Sequence, residues 1–376
     1  MVRLVTTWVK CVSRIGEETV TSYSSVGAAS GARRRPTMKQ VARLAGVGVK
    51  TVSRVVNGEP NVSDRTAERV WAAVRELDYH VDLRAGSLRR PGGATRTIAL
   101  LVGSVDNPFA GELHRGVEDV AREHDVAVLA SSLDEQPDRE VAAVEDSIKR
   151  HVDGIIVNTT TVDGAALERV LHLGVPIVFV DRAPHGIGAD CVTSDTRSAA
   201  ERATLHLLER GHRRIALLTE RLNVATAVER REGFTAAFAG YGVDLGGAVV
   251  VSGLVGAGAA ECAVTGLFNE PCPPTAIFSG QNLLTEGALH ALHNLELRNR
   301  IAHVGFDDLP LADMLQPALT VVRQDPRRMG RVAAQRLFRR LEGEVLRPEH
   351  IVIPTQFITR GSGEIEPDDR LDLPTS

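Results

Sequence analysis

No run in the 376-residue chain approaches the roughly eighteen apolar residues of a membrane span, so none is expected to cross a bilayer. The first residues carry Lys10, Arg14 and Glu17-Glu18 where a secretory leader would be apolar, and no leader is expected. Cysteine is scarce: Cys11, Cys191, Cys262 and Cys272 form no C-x-x-C pair and have no histidine at ligand spacing. That excludes a disulfide framework and gives no metal site, and it fits a reducing, cytoplasmic setting. Catalytic signatures are absent too, with no G-x-x-x-x-G-K-[ST], H-E-x-x-H or G-x-S-x-G. The glycines of Gly253-Leu-Val-Gly256-Ala-Gly258 do not form a dinucleotide loop, so neither an enzyme nor a cofactor is expected. Only Lys10, Lys39, Lys50 and Lys149 are lysines, and arginine carries most of the positive charge.

What is present is uneven. The net charge of -4 hides a basic head: residues 33–90 hold thirteen Lys/Arg against six Asp/Glu, a balance of +7. Residues 91–376 hold twenty-eight against forty, a balance of -12. A basic module on an acidic body suits a polyanion reader attached to something else. Inside the head, Val41, Ala42 and Ala45 recur at helical spacing, Gly46-Val47-Gly48 interrupts, and Val52, Val55 and Val56 resume. Lys50, Thr51, Ser53 and Arg54 lie off that apolar face. Two short helices around a glycine-containing turn have the form of a helix-turn-helix, although a plain three-helix bundle shares the periodicity. Thr37-Met-Lys-Gln40 reads as a capping box for the first helix. Ser63 reads as the N-cap of a third, with Val62 and Ala67 as a staple and Val70, Val74 and Leu77 continuing the stripe toward Tyr79. The second helix starts after Gly48, where a hydroxyl would cap better.

From Arg96 the pattern alternates. Short apolar runs (Ile98–Val102, Val126–Ser131, Gly154–Val157, Ile177–Val180, Ile215–Leu218, Ala276–Phe278, Ile301–Val304) are separated by helical stretches such as Ala200–Arg210 and Glu229–Gly240. This predicts an α/β body of two doubly wound parallel-sheet subdomains, with any ligand in the cleft at the strand ends. Residues 1–35 read as a disordered arm or an upstream start, 36–82 as the head and 83–94 as a hinge and linker. Residues 95–363 read as the two-lobed body and 364–376 as a disordered acidic tail.

The chain resembles the LacI/GalR family of transcription regulators. The likeness rests on Val41-Ala42 … Ala45-Gly46-Val47 … Thr51-Val52-Ser53-Arg54-Val55 … Asn57-Gly58, then Val62-Ser63 … Thr66 and Leu77 … Tyr79. Asp106-Asn-Pro-Phe109, Gly211-His212-Arg-Arg-Ile215, Gly233-Phe234, Val304-Gly-Phe-Asp-Asp308 and the block from Pro317 to Asp325 extend it through the body. The resemblance implies a homodimer on double-stranded operator DNA, with a periplasmic-binding-protein-like body holding a small-molecule effector. Val49, Lys50 and Arg54 would meet base edges; arginine can grip guanine O6 and N7, whereas valine offers only apolar contact. Thr37, Thr51, Ser53, Asn57, Ser63 and Thr66 would touch phosphates, and Thr37 and Ser63 could cap helices at the same time. Leu83–Arg90 would be the hinge helix, with Ala85 and Leu88 in the minor groove and Leu88 as the wedge. No leucine-heptad helix follows Arg360, so the assembly is expected to stop at a dimer.

For the effector the resemblance implies Asn107, Phe109, Asp181, Arg182, Asp195, Val228, Asn282 and Asp307. Strand-end capping or salt bridging are alternatives for Asp181 and Asp195. Three departures stand out: Ala110 where a second aromatic is usual, Gln281-Asn282 for Asn-Asp, and Val228 at the place assigned to a ligand-gripping arginine. With that bidentate cation and a carboxylate both missing, the expected ligand is less hydroxyl-rich or less anionic than usual, or there is none. A transport binding protein is disfavoured by the basic head and the lack of a leader. In the hinge, Val81-Asp82 replaces Pro-Asn and Gly86 sits mid-segment, where glycine costs about 1 kcal/mol relative to alanine. Circular dichroism without operator is therefore expected to find no helix at residues 83–90, and helix there would sink this expectation.

Overall fold

The computed structural model describes residues 3–5, 36–56, 59–60, 62–79, 94–160, 165–184 and 186–368. The hinge expected at 83–90, with Ala85 and Leu88, and Asn57 lie outside the described residues, as do 6–35 and 369–376. By its contacts the chain divides into residues 9–95 and a second unit of 1–8 with 96–376.

The head is three helices, α1 (Met38–Ala45), α2 (Val49–Val56) and α3 (Asp64–Glu76). Val41, Ala42, Ala45, Val52, Val55, Val70, Ala73 and Tyr79 bury one core between them. The capping box forms: the Thr37 amide donates to Gln40 Oε1 at 2.7 Å, and Thr37 Oγ1 accepts from the Gln40 amide at 3.4 Å. Gly46 closes α1 at φ +61, and Arg69 of α3 donates to the Ala45 carbonyl at 2.6 Å, tying the turn to the third helix. Ser63 does precede α3, but its hydroxyl bonds Thr66 Oγ1 at 2.9 Å and caps no backbone amide.

The body contains two sheets. In the first lobe six parallel strands lie in the order β12 (His350–Ile353), β6 (Asp190–Ser194), β5 (Ile177–Val180), β4 (Gly154–Val157), β2 (Thr97–Val102), β3 (Ala127–Ser132). The second lobe runs β1 (Arg3–Val5), β8 (Val249–Val251), β7 (Ile215–Leu218), β9 (Ala276–Ser279), β10 (Ala302–Phe306), β11 (Thr320–Arg323), β13 (Gln356–Ile358). Only the β11–β13 pair is antiparallel among the described pairings. The chain changes lobe after β6, after β11 and between β12 and β13, so three segments join the lobes.

Helices cover both faces of each sheet, and the central strands are buried throughout. Helices Pro108–Glu123 and Pro326–Leu341 approach so closely that a Cβ on Gly116 would sit 2.1 Å from the Arg327 carbonyl oxygen. Gly233 is the same device in the second lobe, 2.1 Å from the Arg197 carbonyl oxygen by the same measure.

Two terminal expectations are corrected. Within the arm expected to be disordered, residues 3–5 pair in parallel with β8. The tail does not come free at residue 364 either. Glu364 sits 3.0 Å from His206 Nε2, the Ile365 carbonyl 2.8 Å from His212 Nε2, and Asp368 accepts from Arg300 at 2.8 Å. Ile365 packs on the second lobe's core, and that apolar contact outweighs the acidic composition around it.

A buried charge cluster fixes helix Pro326–Leu341 against β6. Asp190 Oδ2 accepts from Arg340 Nε at 2.5 Å and Oδ1 from the Glu349 amide at 2.9 Å, with Arg336 Nε also 3.0 Å from Oδ1. Burial alone would raise this carboxyl, but the Arg340, Arg336 and Glu349 interactions outweigh it and hold it below the usual range. Its contribution is therefore present at neutral pH and lost only as pH falls through the depressed value. Asp190→Ala takes the carboxylate from Arg340 and leaves Arg336 with Glu349 and the Arg347 carbonyl, and it should lower stability by about 3 kcal/mol in urea denaturation at pH 7; a loss near zero would contradict this role.

Candidate DNA-reading face and effector cleft

On α2 the side chains of Val52, Ser53 and Val55 are buried, while Val49, Lys50 and Arg54 are exposed and Thr51 is half-buried. Val49 keeps 42% of its surface. Among the described residues Arg54 pairs with Glu59, at 3.8 Å, an exposed pair that is easily given up. Ser53 departs from the expectation of a phosphate contact. Adjacent to Val52 on a helix squeezed between α1 and α3, it turns into the packed side rather than outward. Thr37 and Ser63 are exposed and Thr66 half-buried, all near helix starts.

In the body, a cavity of about 470 Å³ lies between the lobes. Its walls come from the segments that follow the carboxyl ends of the strands: after β2, β3, β4 and β5 on one side, and after β7, β8, β9, β10 and β11 on the other. Parallel strands all end on one side of their sheet, so these segments converge without further arrangement.

Asn107 and Asn282 bridge the lobes. Asn282 Nδ2 donates to Asn107 Oδ1 at 2.7 Å, and Asn107 Nδ2 donates back to Asn282 Oδ1 at 3.2 Å. Each carbonyl also accepts a backbone amide at the start of its own helix, Phe109 at 2.9 Å and Leu283 at 2.8 Å. Phe109 lines the cavity beside them, and the neighbouring Ala110 is buried there.

Asp181, at φ +67, accepts from Asn158 Nδ2 at 3.2 Å. Arg182 is forked onto Glu135, with Nη1 to Oε2 at 2.6 Å and Nη2 to Oε1 at 2.7 Å, and Nη1 also reaches the Thr159 carbonyl at 3.2 Å. Glu135 and its neighbour Asp134 both hold left-handed backbone, at φ +55 and +50. Non-glycine residues in that region carry strain of about 1–2 kcal/mol each, so the loop is held by its contacts. Opposite, Asp307 at φ +72 accepts from Gln324 Nε2 at 2.7 Å.

Two expected residues are not in the cleft. Asp195 accepts from the Thr355 amide at 2.7 Å and from Arg202 at 3.0 Å, so its capping and salt-bridging alternative holds. Burial would raise its carboxyl, but Thr355 and Arg202 hold it below the ordinary range. Val228 is half-buried and lines no part of the cavity. The arginine of this helix, Ala225–Tyr241, is Arg230, whose guanidinium carbon stands 4.4 Å from the Phe306 ring centroid and whose Nη1 is 3.3 Å from Glu220. The expectation that the cation is missing is therefore overturned, since Arg230 lines the cavity, whereas position 282 does carry an amide and not a carboxylate. The signal was helical spacing, since Thr226, Arg230 and the close-packed Gly233 share the buried stripe that Val228 leaves. Glu135, Asn158, Glu220 and Gln324 were also missed; each follows a strand end, the position the parallel topology marks.

The comparisons agree with both halves. Residues 37–82 match the family described as bacterial regulatory proteins, lacI family. Residues 95–361 match the periplasmic binding proteins and sugar binding domain of the LacI family. This chain belongs to the LacI family. Among its LacI-family relatives, the ribose operon repressor of Escherichia coli (strain K12) is 32% identical over 329 residues, 87% of this chain and 99% of the relative. The transcriptional regulator GalR of the same strain is 31% identical over 289 residues, 76% and 84% of the two chains. The lac repressor dimer bound to operator and the anti-inducer ONPF superposes with a TM-score of 0.77 at 25% identity, over 88% of this chain and 99% of that one. A complex of the regulator CelR with cellobiose superposes at 0.65 and 30%, over 87% and 100%. The protein is a sequence-specific DNA-binding transcriptional repressor of the LacI family, not an enzyme. Among the described residues no helix is long and apolar enough to cross a membrane.

Burial raises the Asp307 carboxyl to about 6, against partial relief from Arg230 and Gln324. A folded-state value above the unfolded one favours the fold at low pH, and that advantage is lost as pH rises through about 6. Asp307→Asn keeps an acceptor for Gln324 and tolerates the left-handed backbone. It is expected to raise stability by up to about 3 kcal/mol at pH 8 and by little at pH 4. Thermal melts of both proteins across that range check it, and equal shifts at both ends would contradict the burial argument.

Proposed function

We propose that the protein represses transcription as a homodimer on a near-palindromic operator, and that a small ligand in the interlobe cleft modulates its grip. The observation that carries the reading half is α2, which buries Val52 and Val55 while leaving Val49, Lys50 and Arg54 outward on a basic head. In this reading those three side chains meet base edges. Thr37, Thr51, Asn57, Ser63 and Thr66 meet phosphates, and Ala85 and Leu88 of the hinge enter the minor groove. Residues 36–82 act as the reading head, 83–94 as hinge and linker, and 95–363 as the regulatory body.

Dimerisation is supported by β3, an edge strand of the first lobe whose residues are exposed along most of its length, Leu129 at 41%. A bare edge with an exposed leucine favours cover by a second copy, and a two-fold pair matches two half-sites. Effector binding is supported by the cavity's size and by Arg230, Asp307, Asn107 and Asn282, a set that can hold hydroxyl groups. The relatives named for ribose and the cellobiose complex point to the same ligand chemistry.

Selection of operators from random duplexes, repeated with a panel of sugars, tests the whole scheme. Arg54→Ala is expected to weaken the selected site by about 1–3 kcal/mol and to relax base preference at one position per half-site. Unchanged preference with uniformly weaker binding would make Arg54 a phosphate contact instead. Arg230→Ala is expected to abolish the response of operator binding to whichever sugar the wild type answers.

A further inference from the structure

We propose that the cleft is built to refuse anionic ligands, with Glu135 and Glu220 as the specificity residues that keep phosphorylated sugars out while neutral ones are admitted. The inference rests on the reading of the cleft as the effector site.

A cleft binds an anion through free cationic forks or uncapped helix starts. The two buried forks and two of the helix starts are closed here. Arg182, 7% exposed, spends both Nη atoms on the two oxygens of Glu135. Arg230, 4% exposed, has its Nη1 3.3 and 3.4 Å from the two oxygens of Glu220 and its face against Phe306. A phosphate approaching either guanidinium would meet a carboxylate already in place. The third arginine of the lining, Arg221, is exposed at the wall. Two of the helix starts at the cavity are occupied as well: the Phe109 amide by Asn107, and the Leu283 amide by Gln281 at 3.0 Å and Asn282 at 2.8 Å, whereas those after Gln136, Val224 and Val255 carry no side-chain cap.

The groups left over have the opposite character. Asp181 and Asp307 are buried carboxylates on opposite walls of the cavity, each bonded by one side-chain amide. Asn158 Oδ1 and Gln324 Oε1 are buried acceptors without a donor, and Arg182 Nε and Arg230 Nε are buried donors without an acceptor. A neutral hydroxyl donates and accepts at one oxygen, so a polyol can answer both kinds of vacancy. A phosphate dianion can only accept, and it would lie beside Asp181 and Asp307 at the cost of like-charge repulsion.

The test uses the full chain and its variants Glu135→Gln and Glu220→Gln, each checked for native folding by circular dichroism. Glu118→Gln, on the outer surface of helix Pro108–Glu123, serves as a control. Thermal shift and calorimetry are run with ribose and glucose, with their phosphate esters, and with inorganic phosphate alone. The wild type and the control are expected to ignore inorganic phosphate and the esters. Either glutamine variant should gain at least about tenfold in affinity for them, because it frees a guanidinium fork. A wild type that takes a phosphate ester as tightly as its neutral parent would overturn the proposal, as would two folded variants that gain nothing for inorganic phosphate. Inorganic phosphate probes the freed arginines without any sugar, so this arm decides the selectivity claim by itself. Operator release by neutral sugars decides the effector reading separately.

Discussion

The parallel alignment of the strands is the constraint on which the rest of the body depends. Strands that run the same way deliver all their exits to one edge of the sheet, and each exit is a short polar segment free of core packing. Six strands of the first lobe and the parallel set of the second do this separately. The three chain crossings, after β6, after β11 and between β12 and β13, hold the two exit edges face to face. The cavity is thus a by-product of topology. Its residues need only be polar and correctly sized, because their positions follow from the strands that precede them.

Charge inside that cavity follows a consistent rule. Every buried arginine there has a carboxylate of its own chain, Arg182 with Glu135 and Arg230 with Glu220. Desolvated cations are expensive unless paired and hydrogen-bonded, and the chain meets that demand internally rather than leaving it to a ligand. The same economy appears at Asp190, where two arginines and a backbone amide converge on one buried carboxylate far from the cleft. Asp307 has no arginine bonded to it, and burial raises its carboxyl to about 6. Asn107 and Asn282 complete the picture, using one reciprocal amide pair both to cap two helices and to link two lobes.

The head was legible in advance because its information is local. A capping box needs Thr37 and Gln40 at a spacing of three, a turn needs Gly46, and the stripe of Val41, Ala45, Val52 and Val55 needs only helical periodicity. Ser53 was misplaced for the same reason. Periodicity assigns a residue to a flank, and only contact with α1 and α3 decides whether that flank is covered. In the body, the buried central strands announced themselves as apolar runs. By contrast β6, with Asp190, Thr193 and Ser194 all buried, gave no such signal, because its polar groups are paired by residues more than a hundred positions away.

The sequence by itself determined that a basic helix-turn-helix precedes an α/β body, and it named Asn107, Asp181, Arg182, Asn282 and Asp307 for the cleft. Helices, turns and strand ends are specified by neighbours a few residues apart, whereas the cleft residues were named through the likeness to the LacI/GalR family. Tertiary structure alone decided that Arg230 and not Val228 lines the cavity, that Asp195 is held by Thr355 and Arg202, and that Glu135 and Glu220 hold the arginines. Those outcomes depend on which side of a packed helix faces a cavity and on pairings such as Arg182 with Glu135, forty-seven positions apart. Linear spacing carries no record of such distances, because folding through strands and crossovers sets them.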